Sequence, residues 1–381
     1  MSLAVLLINS LGTGGAERAV TAAAAHLRAA GRDVRLMCLE HHSAQLSLPA
    51  SIPITYLSNL SASASALVKL AALPVLALRL SSRLRRLGAP TVMSHLFRAN
   101  FVNVLARALA GSRHKTVLVN HTRISRLRDE GIQGKINWLL CRLLYPRADL
   151  VASVSTGASA ECASLLGLVP EKTITLYDPI EPSTPTLGLE RNAVTTVGRL
   201  VSLKRFEDVI EAFPAVAESA PELTLRIVGD GPERSKLEKH AEASGVADRI
   251  RFLGQVTEPA RELAMSRVFV STSAVEGFGM AIVEALAAGT PVIAADCAYG
   301  PREILSPSTD STVLLKEGSD VELAEYGVLY PVGSVKALKK ALERVLGDSA
   351  LREDLGRKGR IRAADFSVER STAAYERLLF A

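Results

Sequence analysis

The chain has 381 residues, enough for two or three domains at roughly 150 residues each. Its composition, 48% hydrophobic and 22% charged, is that of an ordinary globular protein and excludes a disordered or collagen-like chain. The four cysteines form no C-x-x-C pair, and the longest apolar run is Leu70 to Leu78, short of the ~20 residues that a membrane helix needs.

Charge is unevenly distributed along the chain. Residues 1–180 carry 20 Lys and Arg against 9 Asp and Glu, whereas residues 181–381 carry 25 against 30. A basic half attracts polyanions such as nucleic acid, anionic lipid or a phosphorylated acceptor. Nucleic acid is the weakest of these interpretations, because aromatic residues make up only 4% and no basic stretch is rich in them.

Short apolar runs alternate with helical patterns throughout, in two successive series. Apolar runs without alternation indicate parallel strands that are covered on both faces. The predicted strands are Ala4–Ile8, Val34–Leu39, Thr91–Ser94, Thr116–Asn120, Leu150–Ser153, Thr173–Tyr177, Val194–Val197, Thr224–Val228, Ile250–Leu253, Val268–Val270, Pro291–Ala294 and Val313–Leu315. Helices are predicted between strands, for example Ala16–Ala29, Phe206–Glu218, Pro232–Ala243, Ala281–Ala288 and Val335–Leu346.

A further helix is predicted between Leu67 and Leu87. Arginines flank a leucine stripe, which is typical of a helix at an anionic membrane surface. The same stripe is also typical of a helix that packs on a protein core. The stripe comprises Leu73, Leu76, Leu80, Leu84 and Leu87, and the flanking arginines are Arg79, Arg83 and Arg86.

A proline-rich segment after Asp178 separates the two series. Pro179, Pro182 and Pro185 resist both helix and sheet pairing, so this segment is the predicted linker. We therefore predict an α/β protein with two doubly wound, Rossmann-like domains, residues 1–180 and 181–366, facing across a cleft. Ligands of such sheets bind outside the carboxyl ends of the strands.

Candidate binding residues follow the strands. Gly14 and Gly15 open the first helix, where glycines let backbone amides approach a phosphate or sugar. Glu17 stands where a dinucleotide fingerprint needs glycine, which makes that fingerprint a poor match. In the second series, Arg199 and Lys204 flank a strand-to-helix junction, where two cations can neutralise a diphosphate.

The segment from Glu276 to Glu284 is the sharpest motif. Two carboxylates eight positions apart span about 12 Å of helix, which suits the hexose and ribose ends of a nucleotide sugar. His95 and His121 each follow a strand of the basic half and are candidate site residues, although a loop histidine often only caps or packs. With no Asp-x-Asp and no cluster at metal-ligand spacing, we expect neither a metal nor another cofactor.

Together these motifs resemble family 4 glycosyltransferases, which are retaining enzymes of the GT-B fold. The resemblance covers nearly the whole chain. It rests on Gly14-Gly15-Ala16-Glu17-Arg18, Val197-Gly198-Arg199, Val228-Gly229-Asp230-Gly231-Pro232, Phe252-Leu253-Gly254, Glu276-Gly277-Phe278-Gly279 with Glu284, Ala288–Ala294, and Phe366-Ser367 with Tyr375. The Asn-Pro that is common in the family is Asp178-Pro179 here.

The resemblance implies roles for individual residues. His121 would meet the sugar and support charge at its anomeric carbon, and Glu276 would contact the transferred sugar. Arg199 and Lys204 would hold the diphosphate, and Glu284 the ribose hydroxyls. Family members work without a metal. The donor-binding set that it implies is Gly14, Gly15, Arg199, Lys204, Gly254, Gln255, Phe278, Gly279, Met280 and Glu284.

We predict a metal-independent, retaining transfer of a hexose or N-acetylhexosamine from a nucleotide diphosphate sugar, UDP-linked, to a saccharide on a lipid diphosphate. The basic half would bind the acceptor near His95, with Arg79, Arg83 and Arg86 on an anionic membrane surface. This places the protein peripherally on the inner face of a bacterial cytoplasmic membrane, with no nucleic-acid partner. The C-terminal helix, residues 367–381, is expected to pack back on the first domain.

Two other classes of function stay open at this point. A glycan phosphorylase or nucleotide-sugar epimerase on a similar scaffold would cleave or rearrange the donor without a separate acceptor sugar. A non-catalytic polyanion-binding protein would use only the basic half.

Overall fold

The computed structural model describes residues 3–12, 14–42, 52–88, 91–181 and 191–380. The chain divides into two compact units, the first Met1–Pro179 with Val368–Ala381 and the second Ile180–Ser367. The predicted linker prolines Pro182 and Pro185 lie outside the described residues. Each unit has its own sheet and its own apolar core.

The first unit is built on a parallel seven-stranded sheet in which β1 lies between β2 and β4 and connections run to both sides. All five residues of β1 are buried, as its unbroken apolar sequence predicts. The sheet order is β3-β2-β1-β4-β5-β6-β7. The strands are β1 (Ala4–Ile8), β2 (Val34–Cys38), β3 (Ile54–Tyr56), β4 (Thr91–His95), β5 (Lys115–Asn120), β6 (Leu150–Ser153) and β7 (Thr173–Thr175).

Helices cover this sheet, and α3, α4, α5 and α6 bury their apolar sides in one cluster with it. Glycines in the left-handed region end several of them, for example Gly88 after α3 and Gly111 after α4. The helices are α1 (Gly15–Ala29), α2 (Ala66–Ala71), α3 (Leu73–Leu87), α4 (Phe97–Ala110), α5 (Gly131–Leu144) and α6 (Thr156–Leu166).

The leucine stripe of residues 73–87 faces the core, so its interpretation as a membrane-inserting stripe is wrong. Leu76 and Leu80 are at most 1% exposed, and α3 packs against α4. The predicted single helix is also interrupted at Ala72, because Pro74 suits the first turn of a new helix rather than a helix interior. No helix in the described part of the chain is both long enough and apolar enough to cross a membrane.

The second unit repeats the doubly wound pattern on another seven-stranded sheet, in the order β10-β9-β8-β11-β12-β14-β13. Only the edge strand β13 is antiparallel to its neighbour. The strands are β8 (Ala193–Val197), β9 (Thr224–Val228), β10 (Ile250–Gly254), β11 (Ser266–Ser271), β12 (Val292–Ala295), β13 (Glu322–Leu323) and β14 (Val328–Tyr330).

The helices of the second unit are α7 (Phe206–Ala217), α8 (Arg234–Glu242), α9 (Pro259–Ala264), α10 (Met280–Ala287), α11 (Pro301–Leu305), α12 (Val335–Gly347) and α13 (Ser349–Ala363). The last helix, α14 (Val368–Phe380), belongs to the first unit and packs against α1. There, Arg32 Nε donates to Glu376 Oε1 at 2.6 Å.

One predicted strand is absent from the structure, and three observed strands, β3, β13 and β14, were not predicted. Val313–Leu315 is not a strand, since Val313 is 66% exposed and Leu315 N donates to the Asp296 side chain instead of to a neighbouring strand. The strand that fills this place in the sheet is β14, which follows a turn at Tyr326 and Gly327. The short edge strand β3 also carries no clear apolar pattern and was not predicted.

Candidate functional site

Polar side chains gather at the carboxyl edge of the first sheet. His95 ends β4, His121 follows β5 directly, and Asp178 follows β7. His95 Nδ1 lies 3.0 Å from His121 Nε2. His121 Nδ1 lies 3.3 Å from Asp178 Oδ1, an ion-pair contact that is not an aligned hydrogen bond. The two predicted histidines therefore meet, and a carboxylate joins them.

This cluster is closed off by the C-terminal helix. Tyr375 of α14 is fully buried, and its ring stacks on His95 with centroids 5.9 Å apart and planes tilted by 8°. Burial lowers the pKa of His95 well below its usual range, and the neighbouring His121 lowers it further. Burial raises the pKa of Tyr375, as does Asp178. His95 is 0% exposed, so the predicted direct contact with an acceptor has no exposed ring atom to make it.

A buried polar network lies directly below His121 and fixes the end of β5. The Tyr145 hydroxyl donates to Asn120 Oδ1 at 2.8 Å and accepts from Asn100 Nδ2 at 2.9 Å. Asn100 Oδ1 in turn accepts from Ser94 on β4. These bonds tie β4, β5 and α4 to Tyr145, which directly follows α5, so the backbone that carries the two histidines is held by hydrogen bonds that are shielded from water.

A second charged group at this edge was not predicted. Glu40, which follows β2 closely and is 3% exposed, accepts from Arg98 at 2.7 Å and lies 3.5 Å from Lys69. The first turn of α4 is also held by Asn9, whose Oδ1 accepts from Ala99 N. The signal available from sequence was the position of both Asn9 and Glu40 just after a strand.

Gly14 is the N-cap of α1, and both Gly14 and Gly15 are exposed. A Cβ on Gly14 would lie 2.5 Å from Glu17 Oε2, because the Glu17 carboxylate folds back over this glycine. The amides predicted to approach the donor thus share the helix N-terminus with an acidic side chain.

In the second unit, glycines line the carboxyl ends of three neighbouring strands. Gly229 N donates to Gly254 O at 2.8 Å, and a Cβ on Gly229 would lie 1.9 Å from Gly198 O. Gly254 has φ +67, a left-handed conformation that favours glycine. The close approach of these backbones explains the glycine after each strand. Gln255 follows as an exposed side chain.

Lys204 and Glu276 are brought together by the fold. Lys204 ends the 3-10 turn Ser202–Lys204, and its Nζ lies 2.6 Å from Glu276 Oε1. The two side chains are 26% and 13% exposed. Thr272 Oγ1 donates to Lys204 O at 2.6 Å, which fixes this turn to the end of β11. Arg199 is exposed, and no ion pair to it is found within the described ranges.

The segment from Gly277 to Met280 leads into α10. Phe278 is buried edge-on against Phe366, with ring centroids 5.1 Å apart. Gly279 caps α10 with φ +101, and Met280 is the first residue of the helix. Glu284 lies one turn further along and is 8% exposed. The predicted donor residues of this segment therefore lie at the N-terminal end of one helix.

A buried ion cluster behind this segment was not predicted. Arg302, 5% exposed, makes hydrogen bonds to both carboxylate oxygens of Asp296 and to Glu322. Gly300 precedes it with φ +93, and a Cβ there would lie 1.8 Å from Phe278 O. The loop after β12 is thus pressed directly against the backbone of the predicted donor segment.

The predicted membrane arginines, Arg79, Arg83 and Arg86, are exposed on the side of α3 opposite to the core. Arg79 donates to Leu57 O at 2.9 Å. Among the residues that the structure describes, no three His, Cys, Asp or Glu side chains are grouped so that they could hold a metal ion.

Two family models match the chain. The model described as "Glycosyltransferase Family 4" matches residues 13–184, and the model described as "Glycosyl transferases group 1" matches residues 181–362. The border between the two matches coincides with the border between the two units.

Individual proteins are similar over different shares of the chain. A Campylobacter jejuni protein named N-acetylgalactosamine-N,N'-diacetylbacillosaminyl-diphospho-undecaprenol 4-alpha-N-acetylgalactosaminyltransferase is 27% identical over 95% of this chain and 94% of its own. The Rhizobium meliloti lipopolysaccharide core glycosyltransferase LpsE is 33% identical over 49% of each chain. Anabaena HepE, solved with UDP and glucose, superposes with a TM-score of 0.74 at 20% identity, covering 99% of both chains. These matches identify the fold as GT-B.

Proposed function

Because the chain belongs to the family 4 glycosyltransferases, we propose that it transfers a hexose or N-acetylhexosamine from a UDP-sugar to a saccharide acceptor with retention of configuration. The second unit holds the donor and the first unit binds the acceptor. The leaving diphosphate takes the proton of the acceptor while the sugar passes through an oxocarbenium-like state.

The ion pair between Lys204 and Glu276 is the observation that carries this proposal. It places an ammonium and a carboxylate 2.6 Å apart at the carboxyl edge of the second sheet, close to the start of α10. An ammonium suits a diphosphate, and a carboxylate suits sugar hydroxyls. A nucleotide diphosphate sugar offers both chemistries within one molecule, separated by a single phosphate ester bond.

The surrounding residues supply the other donor contacts. Arg199, which has no ion pair within the described part of the chain, adds a second cation for the diphosphate. The N-terminal end of α10, with Gly279 and Met280, adds positive potential from its backbone amides. Glu284 holds the ribose. These cationic side chains and the helix end stabilise the leaving group, so the proposed reaction needs no metal.

His121 is proposed to act at the sugar. It follows β5 at the carboxyl edge, and its ring is 7% exposed. With Asp178 beside it, the ring can support positive charge that develops at the anomeric carbon. The exposed amides of Gly14 and Gly15 are proposed to contact the donor as well.

A lipid diphosphate-linked saccharide is the proposed acceptor. The Campylobacter relative, similar over 95% of this chain, bears a name that specifies a diphospho-undecaprenol substrate. Residues 1–180 carry an excess of 11 positive charges, which suits a diphosphate at a membrane surface. The protein is proposed to lie on the inner face of the cytoplasmic membrane, where such an acceptor is presented.

The outward sides of α3 and α5, which both pack against α4, form the proposed membrane contact, here called the α3–α5 surface. On α5, Ile132 is 80% exposed and Leu139 is 56% exposed, between basic residues. Exposed apolar groups surrounded by cations suit the headgroup region of an anionic bilayer. The surface comprises Val75, Leu78, Arg79, Arg83, Arg86, Ile132, Lys135, Leu139, Arg142 and Leu143.

Thermal stabilisation by a panel of UDP- and GDP-sugars tests the donor proposal. A ligand at 100 times its Kd adds about 2.7 kcal/mol to stability, so a UDP-sugar should raise the Tm clearly. Lys204→Ala should abolish most of this shift. Lys236→Ala, which removes an exposed lysine paired with Glu233 in the same unit, is the matched control and should keep it. No stabilisation by any nucleotide sugar would contradict the proposal.

A further inference from the structure

We propose that Asp178 and His95 are positioning residues that hold His121 with a hydrogen on Nδ1 and with Nε2 engaged by His95. The significance of this arrangement for the reaction rests on the function proposed above. The hydrogen positions themselves follow from contacts within the first unit alone.

Asp178 determines whether Nδ1 of His121 carries a hydrogen. The carboxylate is 3% exposed, and the one basic side chain within 4.0 Å of it, among the residues described, is His121. Its Oδ1 has no hydrogen-bond partner among the described groups, and a buried carboxylate oxygen without a donor is costly. A bare Nδ1 lone pair facing Asp178 Oδ1 at 3.3 Å would add repulsion to that cost. A hydrogen on Nδ1 removes both penalties, and the pair can then close to the length of a charge-assisted bond.

His95 determines whether the other ring nitrogen of His121, Nε2, accepts or donates a hydrogen bond. The 3.0 Å separation of His95 Nδ1 and His121 Nε2 requires one of them to donate and the other to accept. Burial keeps His95 neutral by lowering its pKa. When His121 is neutral with its hydrogen on Nδ1, Nε2 accepts from His95. A second proton on His121 would enter at Nε2, and His95 would then have to move its own hydrogen to the other nitrogen.

That rearrangement of His95 is unfavourable in this structure. His95 Nε2 is buried and has no hydrogen-bond partner among the described groups. With the hydrogen on Nδ1 this nitrogen is an unpaired lone pair, whereas with the hydrogen moved there it is an unpaired buried N–H, which native structures avoid more strictly than an unpaired acceptor. The Tyr375 ring, stacked on His95 at 5.9 Å, holds the imidazole plane in place. His95 therefore favours the neutral form of His121 that has its hydrogen on Nδ1.

The consequence is an oriented imidazole backed by a negative charge. A carboxylate on one ring nitrogen fixes the tautomer and increases the electron density of the ring, as in catalytic and metal-site histidines. Such a ring stabilises a neighbouring positive charge better than an isolated imidazole does. The negative charge comes from Asp178, in the chain that follows β7.

Nitrogen-15 NMR of the full chain, labelled at its histidines, tests the hydrogen positions directly. The wild-type protein at neutral pH should show His121 with Nδ1 protonated and Nε2 unprotonated. Asp178→Asn should keep this tautomer, since an amide oxygen also accepts from Nδ1. Asp178→Leu should shift His121 toward the Nε2-protonated form. A wild-type signal with unprotonated Nδ1 would overturn the inference, and a Leu variant with an unchanged signal would overturn the role of Asp178 in it.

Transfer kinetics provide the second arm. Asp178→Leu should lower kcat by about 100-fold, because a misoriented group loses most of its effect, with the donor KM changed less than about threefold. Asp178→Asn should recover at least a tenth of the wild-type kcat, and equal losses in both variants would count against positioning. Asp208→Asn removes a similarly buried carboxylate, 2% exposed and paired with Arg205 in the second unit, and should leave the His121 signals unchanged.

The two arms separate this inference from the proposed function. A protonated Nδ1 in a protein that transfers no sugar would leave the positioning intact and reject the function. Active transfer by a protein with unprotonated Nδ1 would reject the positioning and leave the function standing.

Discussion

Lys204 is paired with Glu276, so the diphosphate proposed to bind Lys204 would compete with a carboxylate for the same ammonium. The pair is mostly shielded from water, with Glu276 13% exposed, so this competition takes place where charges interact strongly. In the proposed reaction, the phosphate takes over Lys204 and frees Glu276 to contact the sugar. We therefore expect donor binding and sugar contact to be coupled.

Glu276→Gln should separate the two effects. Removing the carboxylate charge releases Lys204 for the diphosphate, so the Kd for UDP should fall about 5–30-fold, the equivalent of 1–2 kcal/mol. At the same time kcat should fall by about 10²–10³-fold, because the sugar loses its charged partner. Calorimetry with UDP and initial rates with a UDP-sugar measure the two effects.

The control for this variant is Glu238→Gln. It breaks another ion pair of the second unit, Arg234 Nε to Glu238 Oε1 at 2.8 Å, and should change neither quantity. Weaker UDP binding in Glu276→Gln would show that the carboxylate supports the phosphate site instead of competing with it.

Sequence reasoning identified Lys204 and Glu276 separately but not their contact, and it could not place Asp178 beside His121. Residues that directly follow parallel strands lie at the same edge of the sheet, so the motifs of this edge can be found from the sequence. Which side chains then touch depends on rotamers and on how neighbouring strands are staggered. The sequence marks Asp178 only as a departure from the Asn-Pro pattern, although its position after β7 indicates that it lies at the carboxyl edge of the sheet.

Among the elements, the loop after β12 supports the start of α10 by direct backbone contact. Gly300→Ala would place a Cβ 1.8 Å from Phe278 O and should displace the donor segment. We expect the variant to lose the Tm increase that a UDP-sugar gives. Gly318→Ala, at φ +86 with open space around it, introduces the same backbone strain without the contact and should keep the increase. An unchanged Tm increase in Gly300→Ala would show that this loop does not support the donor site.

His114, just before β5, links that strand to α4 through Asn103, at 2.9 Å. Burial lowers the pKa of His114 to about 4, and Arg107 adds to the effect. Its unfolded form takes up a proton near pH 6.5, so the stability it contributes is complete above that pH and is lost as the pH falls toward 4. The loss should reach about 3 kcal/mol.

Urea unfolding at pH 7 and pH 4.5 measures this dependence. The single Trp, Trp138 on α5, reports on the first unit alone. His114→Gln should make the unfolding free energy of that unit less dependent on pH, while other buried groups such as His95 act equally in both proteins. An identical pH dependence in wild type and variant would contradict the assignment.

The elements themselves could largely be predicted from sequence, and the exceptions have physical causes. Runs such as Ala4–Ile8 are apolar throughout because both faces of the sheet are covered, which makes them easy to recognise. The run Val313–Leu315 is apolar as well, but Val313 is exposed and Leu315 N donates to the Asp296 side chain instead of to a strand. The stripe on α3 has the same pattern whether a core or a bilayer covers it, so only packing distinguishes the two.

At the scale of the whole molecule, the basic first half and the α3–α5 surface together predict binding to anionic vesicles. Wild-type protein should sediment with phosphatidylglycerol vesicles at low salt and much less at 0.5 M NaCl, because salt screens surface charge. Ile132→Ser with Leu139→Ser should weaken binding about tenfold or more. Changing Arg79, Arg83 and Arg86 to Glu should do the same.

Val313→Ser is the control for vesicle binding, since it removes an exposed apolar side chain, 66% exposed, from the acidic second unit. It should bind vesicles like the wild type. Equal binding to neutral and anionic vesicles would contradict the proposed membrane contact, as would binding that is unchanged by the arginine substitutions.

Transfer from a labelled UDP-sugar to a lipid diphosphate-linked saccharide, with the product examined by proton NMR, tests the central proposal most directly. We expect an elongated saccharide whose new linkage has the anomeric configuration of the donor, and we expect this product to be lost in Glu276→Gln. An inverted linkage, a sugar phosphate or an epimerised nucleotide sugar as the main product would contradict it.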